Sequence, residues 1–217
     1  MPLAAMLCFS CAFDNEPSYK SKGNDIANYK TTQIGEQVWM AENLDYKVNG
    51  SICYDSEANC TTYGRLYDWV TAMALPDSCK YEDCSSQILA KHRGICPSGW
   101  HIPSDAEWST LIRFVGFFSA TELKATSGWN EGGNGTDAHG FSALPGGGWL
   151  DGVGNFGGVG NFGGWWSSSV KNIEDDYRTY VYFQAILYNY DLTVGGYTDG
   201  IGYADKISWF SVRCLQD

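Results

Sequence analysis

The sequence predicts an α+β domain stapled by disulfides. Three observations carry that prediction: a single well-capped amphipathic helix near the middle of the chain, aromatic strand-like segments separated by glycine-rich loops in the C-terminal half, and eight cysteines, one of them near the C-terminus. The composition agrees, with 15% aromatic residues and 26 glycines in 217 residues. Such an aromatic, turn-rich chain suits a loop-heavy β or α+β fold better than a helical bundle. Its length allows one substantial core.

Residues 1–28 read as a leader remnant and linker, and 29–217 as one domain. The opening MPLAAMLCFSCAFD is apolar but has no positive n-region, so it resembles the tail of a signal peptide. Cys11 follows Ser10, with Leu7 four residues before it, which marks Cys11 as a candidate lipidation site. Cleavage there would leave six cysteines, an even set. A redox or metal C-x-x-C at Cys8 and Cys11 is the alternative.

Within the domain, Tyr29 to Ile34 and Val38 to Glu42 form an expected hairpin around Gly35-Glu36-Gln37. Leu66, Trp69, Val70 and Met73 keep helical spacing, which predicts a first main helix from Gly64 to Leu75, ended by Pro76. Residues 76–95 are a cysteine-containing excursion. The second main helix runs from about Asp105 to Val115. Ser104 and Glu107 form its S-x-x-E capping box, in which each side chain closes an open backbone N–H. Trp108, Leu111, Ile112 and Val115 make its apolar face, and Gly116 its stop. Ser119 and Glu122 repeat the capping spacing ahead of a shorter helix.

From Gly128 onward the best strands are Tyr177 to Leu187 and Ile207 to Leu215. In the second, alternation puts Phe210, Val212 and Cys214 on one face and Trp209, Ser211 and Arg213 on the other. Between Trp149 and Trp165 the hexapeptide VGNFGG occurs twice in tandem, at Val153–Gly158 and Val159–Gly164. It reads either as a binding loop carrying Phe156 and Phe162 or as a tolerated surface insertion.

Cys53 and Cys60, and Cys79 and Cys84, are close pairs in polar, turn-rich stretches. Pairing them with each other leaves Cys96–Cys214 as a staple between distant parts of the domain, although the cysteine count alone admits other connectivities. Disulfides imply an oxidising, exported setting.

A set of motifs occurs in order along most of the chain. They are VWMAENLD at Val38–Asp45, YGRLYDWVTAMA at Tyr63–Ala74, CPSGWHIPSDAEW at Cys96–Trp108, LKATSGW at Leu123–Trp129, DAHGFSALPGGGW at Asp137–Trp149, WWSSS at Trp165–Ser169 and SVRC at Ser211–Cys214. Their order and wording resemble the Fibrobacter succinogenes major paralogous domain. The resemblance implies a C-type-lectin-like fold, with two main helices, a twisted antiparallel sheet and long glycine-rich loops. HIPSDAEW is also similar to the R-x-P-[ST]-x-A-E-W run of formylglycine-generating-enzyme domains. Family members occur on secreted or surface proteins of fibre-degrading bacteria, which implies a surface-binding role.

Several function classes lose support on residue grounds. A net charge of −11 argues against nucleic acid, because phosphate binding needs clustered Lys and Arg. The one basic cluster, Lys91-His92-Arg93, reads as a solvated turn. No apolar run is long enough to span a bilayer, so any membrane attachment would be through a lipid. The three histidines lie in no H-E-x-x-H, and the chain has no G-x-S-x-G or P-loop. A formylglycine-type oxidase would bind copper through a C-x4-C pair; Cys79 and Cys84 have that spacing but precede HIPSDAEW, whereas the enzyme's pair follows it.

The E-P-N, Q-P-D and W-N-D motifs of calcium-dependent lectins are missing. No cofactor is therefore expected, with structural calcium left open at Asn130-Glu131 through Asn134 and Asp137, and at Glu174-Asp175-Asp176.

Trp39, Trp69, Trp100 and Trp108 stand in scaffold motifs or at periodic positions and are expected in the core. Trp129, Trp149 and Trp165 flank glycine-rich loops and, with Phe156 and Phe162, are the expected ligand-binding aromatics. Tyr188, Tyr190, Tyr197 and Tyr203 lie among late turns. The expected function is a non-catalytic, exported binding or adhesion module for plant-wall carbohydrate or another surface ligand. The alternative is a structural subunit of a cell-surface assembly with a protein partner, and the third a formylglycine-type oxidase. The expected location is secreted or at the cell surface, including as an outer-membrane lipoprotein.

Overall fold

The structure is a computed structural model and describes residues 19–116, 120–149, 156–171, 180–189 and 201–217. Strands β1 (Thr31–Ile34) and β2 (Gln37–Met40) form the expected hairpin, turning at Gly35 and Glu36. Gly35 has φ +61°, a left-handed conformation that glycine adopts without a Cβ clash. Next come β3 (Ser51–Ile52), α1 (Glu57–Tyr63), β4 (Leu66–Asp68), α2 (Trp69–Ala72), β5 (Trp100–His101), α3 (Asp105–Val115) and α4 (Ala120–Leu123). The C-terminal half carries β6 (Gly146–Trp149), β7 (Phe156–Val159), β8 (Phe162–Lys171), β9 (Tyr180–Leu187), β10 (Ile201–Asp205), β11 (Trp209–Phe210) and β12 (Leu215–Gln216).

The strands make two sheets. A small one has the order β1-β2-β12-β5, and a large one the order β10-β9-β8-β6-β11-β4-β3, with β7 paired to β6. The named pairs are antiparallel except β6 with β8, which run parallel at Gly147 and Gly163. The α+β class therefore holds. Since β12 sits between β2 and β5, the end of the domain is stitched into the sheet that begins it.

The helix α3 forms where its local signals put it. Ser104 and Glu107 make the reciprocal capping box, and Gly116, at φ +107°, ends the helix. The expected first main helix does not form as such. Leu66, Tyr67 and Asp68 are instead a buried strand between β3 and β11, and only Trp69–Ala72 is helical, capped by the Asp68 side chain on Thr71 N–H. Leu66, Trp69, Val70 and Met73 are all buried, so their apolar character reports burial on every side rather than one helical face.

Ile207 to Leu215 is likewise not one strand. The chain leaves the large sheet after β11, bridges Trp165 at Ser211, and enters the small sheet as β12. Its alternation survives, but Ser211 and Arg213 are as buried as Val212 and Cys214. Of the Tyr177–Leu187 strand, residues 177–179 lie outside the described residues, as do Ser119 and the second acidic patch at 174–176.

Adjacent residues of β8 point to opposite faces and feed two cores. Trp166 joins Tyr67, Trp69, Val181, Phe210 and Val212, whereas Trp165 joins Trp39, Trp108, Leu111, Phe141 and Ile186 under α3. Each indole N–H is paired, Trp165 to Asn43 Oδ1 at 2.8 Å and Trp166 to the Tyr67 carbonyl at 2.7 Å. That pairing removes the cost of burying these donors.

The glycines near β6 and β8 make room for the rings. A Cβ on Gly148 would stand 2.7 Å from the Phe210 ring, and one on Gly163 2.6 Å from Trp165. Among the described residues three disulfides close the fold, Cys53–Cys60, Cys79–Cys84 and Cys96–Cys214, in the pairing the spacing suggested. Among the described residues no helix is long and apolar enough to cross a membrane.

Candidate functional site

Of the loop aromatics expected to hold a ligand, Trp129 and Trp165 lie in the core rather than on a surface. Trp129 and Trp165 are 5% and 1% exposed, and Trp129 donates its indole N–H to the Ala143 carbonyl. Phe162 is half-buried and packs on Phe210 with ring centroids 5.8 Å apart. Trp149 is half-buried at the end of β6, opposite Phe156 of β7 and Trp209 of β11. The Phe156 side chain lies outside what is described, as does Cys11.

The repeat that carries the two phenylalanines is not a free loop over its described part. Gly160 and Asn161 turn the chain between β7 and β8, and both strands pair with β6. Glycine backbone at Gly158 and Gly164 lets the Phe162 ring lie close to the strands and against Phe210, so the second copy serves the sheet.

An exposed aromatic group forms elsewhere, on β9 and β10. Tyr180, Tyr182 and Gln184 alternate along one face of β9, and Tyr203 of β10 stands directly opposite Tyr182. Tyr203 is 47% exposed, and its ring meets that of Tyr180 edge-on at 5.4 Å. Lys171, at the end of β8 opposite Tyr180, holds its ammonium 4.9 Å from the Tyr203 ring centroid and 5.5 Å from that of Tyr182. This is cation–π geometry.

At the inner margin stands Asp105, the first residue of α3. Its N–H donates to Ser169 Oγ at 3.0 Å, and its buried Oδ1 has no hydrogen-bond partner. Burial raises its carboxyl pKa, against the lowering pull of Lys171. Gln184, two residues along β9 from Tyr182, is buried with both amide ends unpaired.

The same face of β8 and β9 is therefore covered by α3 over Trp165, Gln184 and Ile186, and among the described residues it is open beyond the N-terminus of α3 at the tyrosines. Three rings, an ammonium and a carboxylate at the edge can stack on an apolar ligand face and bond to its polar rim. The sequence reading placed Tyr203 among late turns and passed over Tyr180, Tyr182 and Lys171; the signal was the alternation Tyr180-x-Tyr182-x-Gln184.

The other candidates have structural employment. Asp137 accepts from Ser142 N–H at 2.6 Å and from its hydroxyl at 2.5 Å, and Asn134 Oδ1 accepts from Trp129 N–H, so these oxygens of the first calcium candidate are engaged. Among the described residues no cluster of three or more His, Cys, Asp or Glu could hold a metal. Cys79 and Cys84 are buried and closed as a disulfide.

His101, fully enclosed, bridges Asp217 at 2.8 Å and Glu107 at 3.0 Å, with no nucleophile in that set. Burial works against its charged form, but the hydrogen bonds its ring donates to the two carboxylates outweigh burial and raise its pKa. Glu107 is held below its ordinary value despite burial, by His101 and by the Ser104 N–H and hydroxyl.

No curated protein and no solved structure matches this chain. The family model described as the Fibrobacter succinogenes major domain matches residues 32–216, which takes in both sheets, α3 and the tyrosine face. The chain belongs to the Fibrobacter succinogenes major domain family.

Proposed function

We propose that this protein is a non-catalytic, exported surface-binding module for plant-wall carbohydrate, which it holds on Tyr203, Tyr182 and Tyr180 with Lys171 and Asp105 at the rim. The observation that carries the reading is the exposed Tyr203 ring, braced by Tyr180 and by the Lys171 ammonium. A pyranose presents C–H groups on its faces and hydroxyls at its edge. The rings take the first, and the amine and carboxylate take the second. Each ring contact contributes on the order of 1 kcal/mol, so a short soluble sugar binds weakly and a polymer gains by repetition.

Three disulfides suit an oxidising compartment outside the cytoplasm. In this reading Cys11 carries the lipid of an outer-membrane lipoprotein. The competing role, a structural subunit of a surface assembly, draws its support from Tyr81 and Leu89, which are 83% and 68% exposed on the excursion around Cys79–Cys84.

The test is retention of the purified protein on insoluble cellulose and xylan, with calcium and with chelator, beside the Tyr182→Ala/Tyr203→Ala variant. Wild-type retention lost in a folded variant supports the reading, and indifference to chelator fits a site without metal. Wild-type passage through both materials, or full retention of the variant, overturns it.

A further inference from the structure

A polar hollow away from the tyrosine face lies where the segment before β1 crosses the end of α1. It has a volume of about 250 Å³. Its walls include Lys22, Glu42, Asp45, Thr61, Thr62 and Leu144. Drug-sized ligands occupy roughly 300–1,000 Å³, so this hollow suits something smaller.

Its walls are held in place before any ligand arrives. Asp45 is buried and accepts from the Tyr19 hydroxyl and, at 3.1 Å, from Lys22 N–H. The Lys22 ammonium pairs with Glu42, and Lys30 approaches the other oxygen of Glu42 at 3.9 Å. Behind the wall Asn43 is fully engaged: Nδ2 donates to the Tyr63 carbonyl and Ser211 Oγ, and Oδ1 accepts from Trp165 and Arg213. The hydroxyls of Thr61 and Thr62, both exposed in the last turn of α1, make no hydrogen bond among the described residues.

Two ammonium groups and two carboxylates balance one another here. With no net charge in the wall, a charged ligand gains little from it and competes with the Lys22–Glu42 pair. A neutral ligand that both donates and accepts at several points breaks no pair. Ala41 and Leu144 supply an apolar patch in the same wall.

We propose that this hollow binds one neutral pyranose unit, such as the end residue of a glycan, at a site separate from the tyrosine face. Lys22 donates to a ring hydroxyl, Glu42 accepts from one, and the Thr61 and Thr62 hydroxyls do either. Lys22 and Lys30 precede the family-matched span 32–216, so the flanking segment contributes two of the polar groups. The sites differ in the ligand face they use: the tyrosines stack on rings along a chain, whereas the hollow closes around one ring.

The experiment is a ¹H–¹⁵N NMR titration of the full chain with glucose, xylose and galactose, each at millimolar concentration, and with sorbitol as an acyclic control. The wild type is compared with Thr62→Arg, which fills the hollow from an exposed position, with Lys22→Ala, and with Tyr203→Ala. Saturable shifts with at least one pyranose, weakened tenfold or more by Thr62→Arg and by Lys22→Ala and unchanged by Tyr203→Ala, would establish the site. Absence of saturable binding, equal binding of sorbitol, or unaltered affinity in Thr62→Arg would overturn it. Loss in Tyr203→Ala alone would overturn it too, and would assign the sugar to the tyrosine face. Retention on cellulose or xylan in the pull-down stands or falls independently of these shifts.

Discussion

Replacing Cys96 and Cys214 by alanine should destabilise this protein far more than the same change at Cys79 and Cys84. The two bridges span very different lengths of chain, with sequence separations of 118 and 5. In the chain-entropy model a cross-link removes freedom from the unfolded chain in proportion to the logarithm of loop size. That gives about 5 kcal/mol for the long loop and about 2 kcal/mol for the short one. The four sulfurs are all buried, so the packing lost on truncation is similar at both sites and largely cancels in the comparison. A difference of roughly 3 kcal/mol should remain, a large part of the 5–15 kcal/mol by which domains are ordinarily stable. The assay is guanidinium unfolding followed by tryptophan fluorescence, with the two double-alanine variants measured beside the wild type. The denaturant slope should also rise more in the Cys96/Cys214 variant, because its unfolded chain exposes more surface once the long loop opens. Equal midpoints for the two variants, or a larger loss at Cys79/Cys84, would refute the entropic argument and place the stabilisation in the folded state.

Arg213 is fully buried and donates to Asn43 Oδ1 at 3.1 Å, to the Phe141 carbonyl and to the Ser142 carbonyl at 3.0 Å, with its guanidinium 4.2 Å from the Phe141 ring centroid. Burial pushes its pKa down to about 9, still well above neutrality, so it is charged at pH 7. Arg213→Ala should cost about 3–5 kcal/mol in unfolding free energy because two main-chain carbonyls lose their donor, and Arg213→Lys should recover only part of it. His101 has a raised pKa in the folded state, so its share of stability is complete below the unfolded value near 6.5 and is lost as pH rises through the folded value. Glu107, with a lowered pKa, adds stability above its unfolded value near 4.5 that is lost as pH falls through the folded one. Midpoints of urea unfolding across pH should therefore peak in the mildly acidic range, and His101→Gln should flatten the alkaline side. Gly94 has φ +51°, and a Cβ there would stand 2.3 Å from the Ala72 carbonyl oxygen. Gly94→Ala should lower stability by about 2–4 kcal/mol in the same assay.

The aromatic residues show how far a sequence carries. Trp39, Trp69, Trp100 and Trp108 are all in the cores, as their positions predicted. Trp129 and Trp165 are there too, although neighbouring glycines suggested open loops. Glycine next to an aromatic is ambiguous. It can mark a turn at the surface, or a strand stripped bare so that a ring can lie on it, and Gly148 and Gly163 are the second kind. Nothing local separates the two, because the ring that fills the space can come from a distant strand, as Phe210 does over Gly148. The tyrosine face was hidden for the opposite reason. Tyr203 and Tyr182 are far apart in sequence and meet only through the register of β9 and β10.

By itself the sequence determined what neighbouring residues can decide. Helix α3 has its capping box, apolar face and glycine stop within a single stretch, so its boundaries were legible to the residue. The two short disulfides and the β1–β2 hairpin lie within reach of their own turns in the same way. Tertiary structure alone decided whether Leu66, Tyr67 and Asp68 would be helix or strand, because the outcome rests on pairing with β3 and β11. A segment buried on all sides shows apolar residues at every spacing, and periodicity then carries no information about which bonds its backbone makes. The candidate binding surfaces belong to the same class. Each joins segments that are remote in the chain, and only the sheet register and the crossing of the N-terminal segment over α1 bring their side chains together.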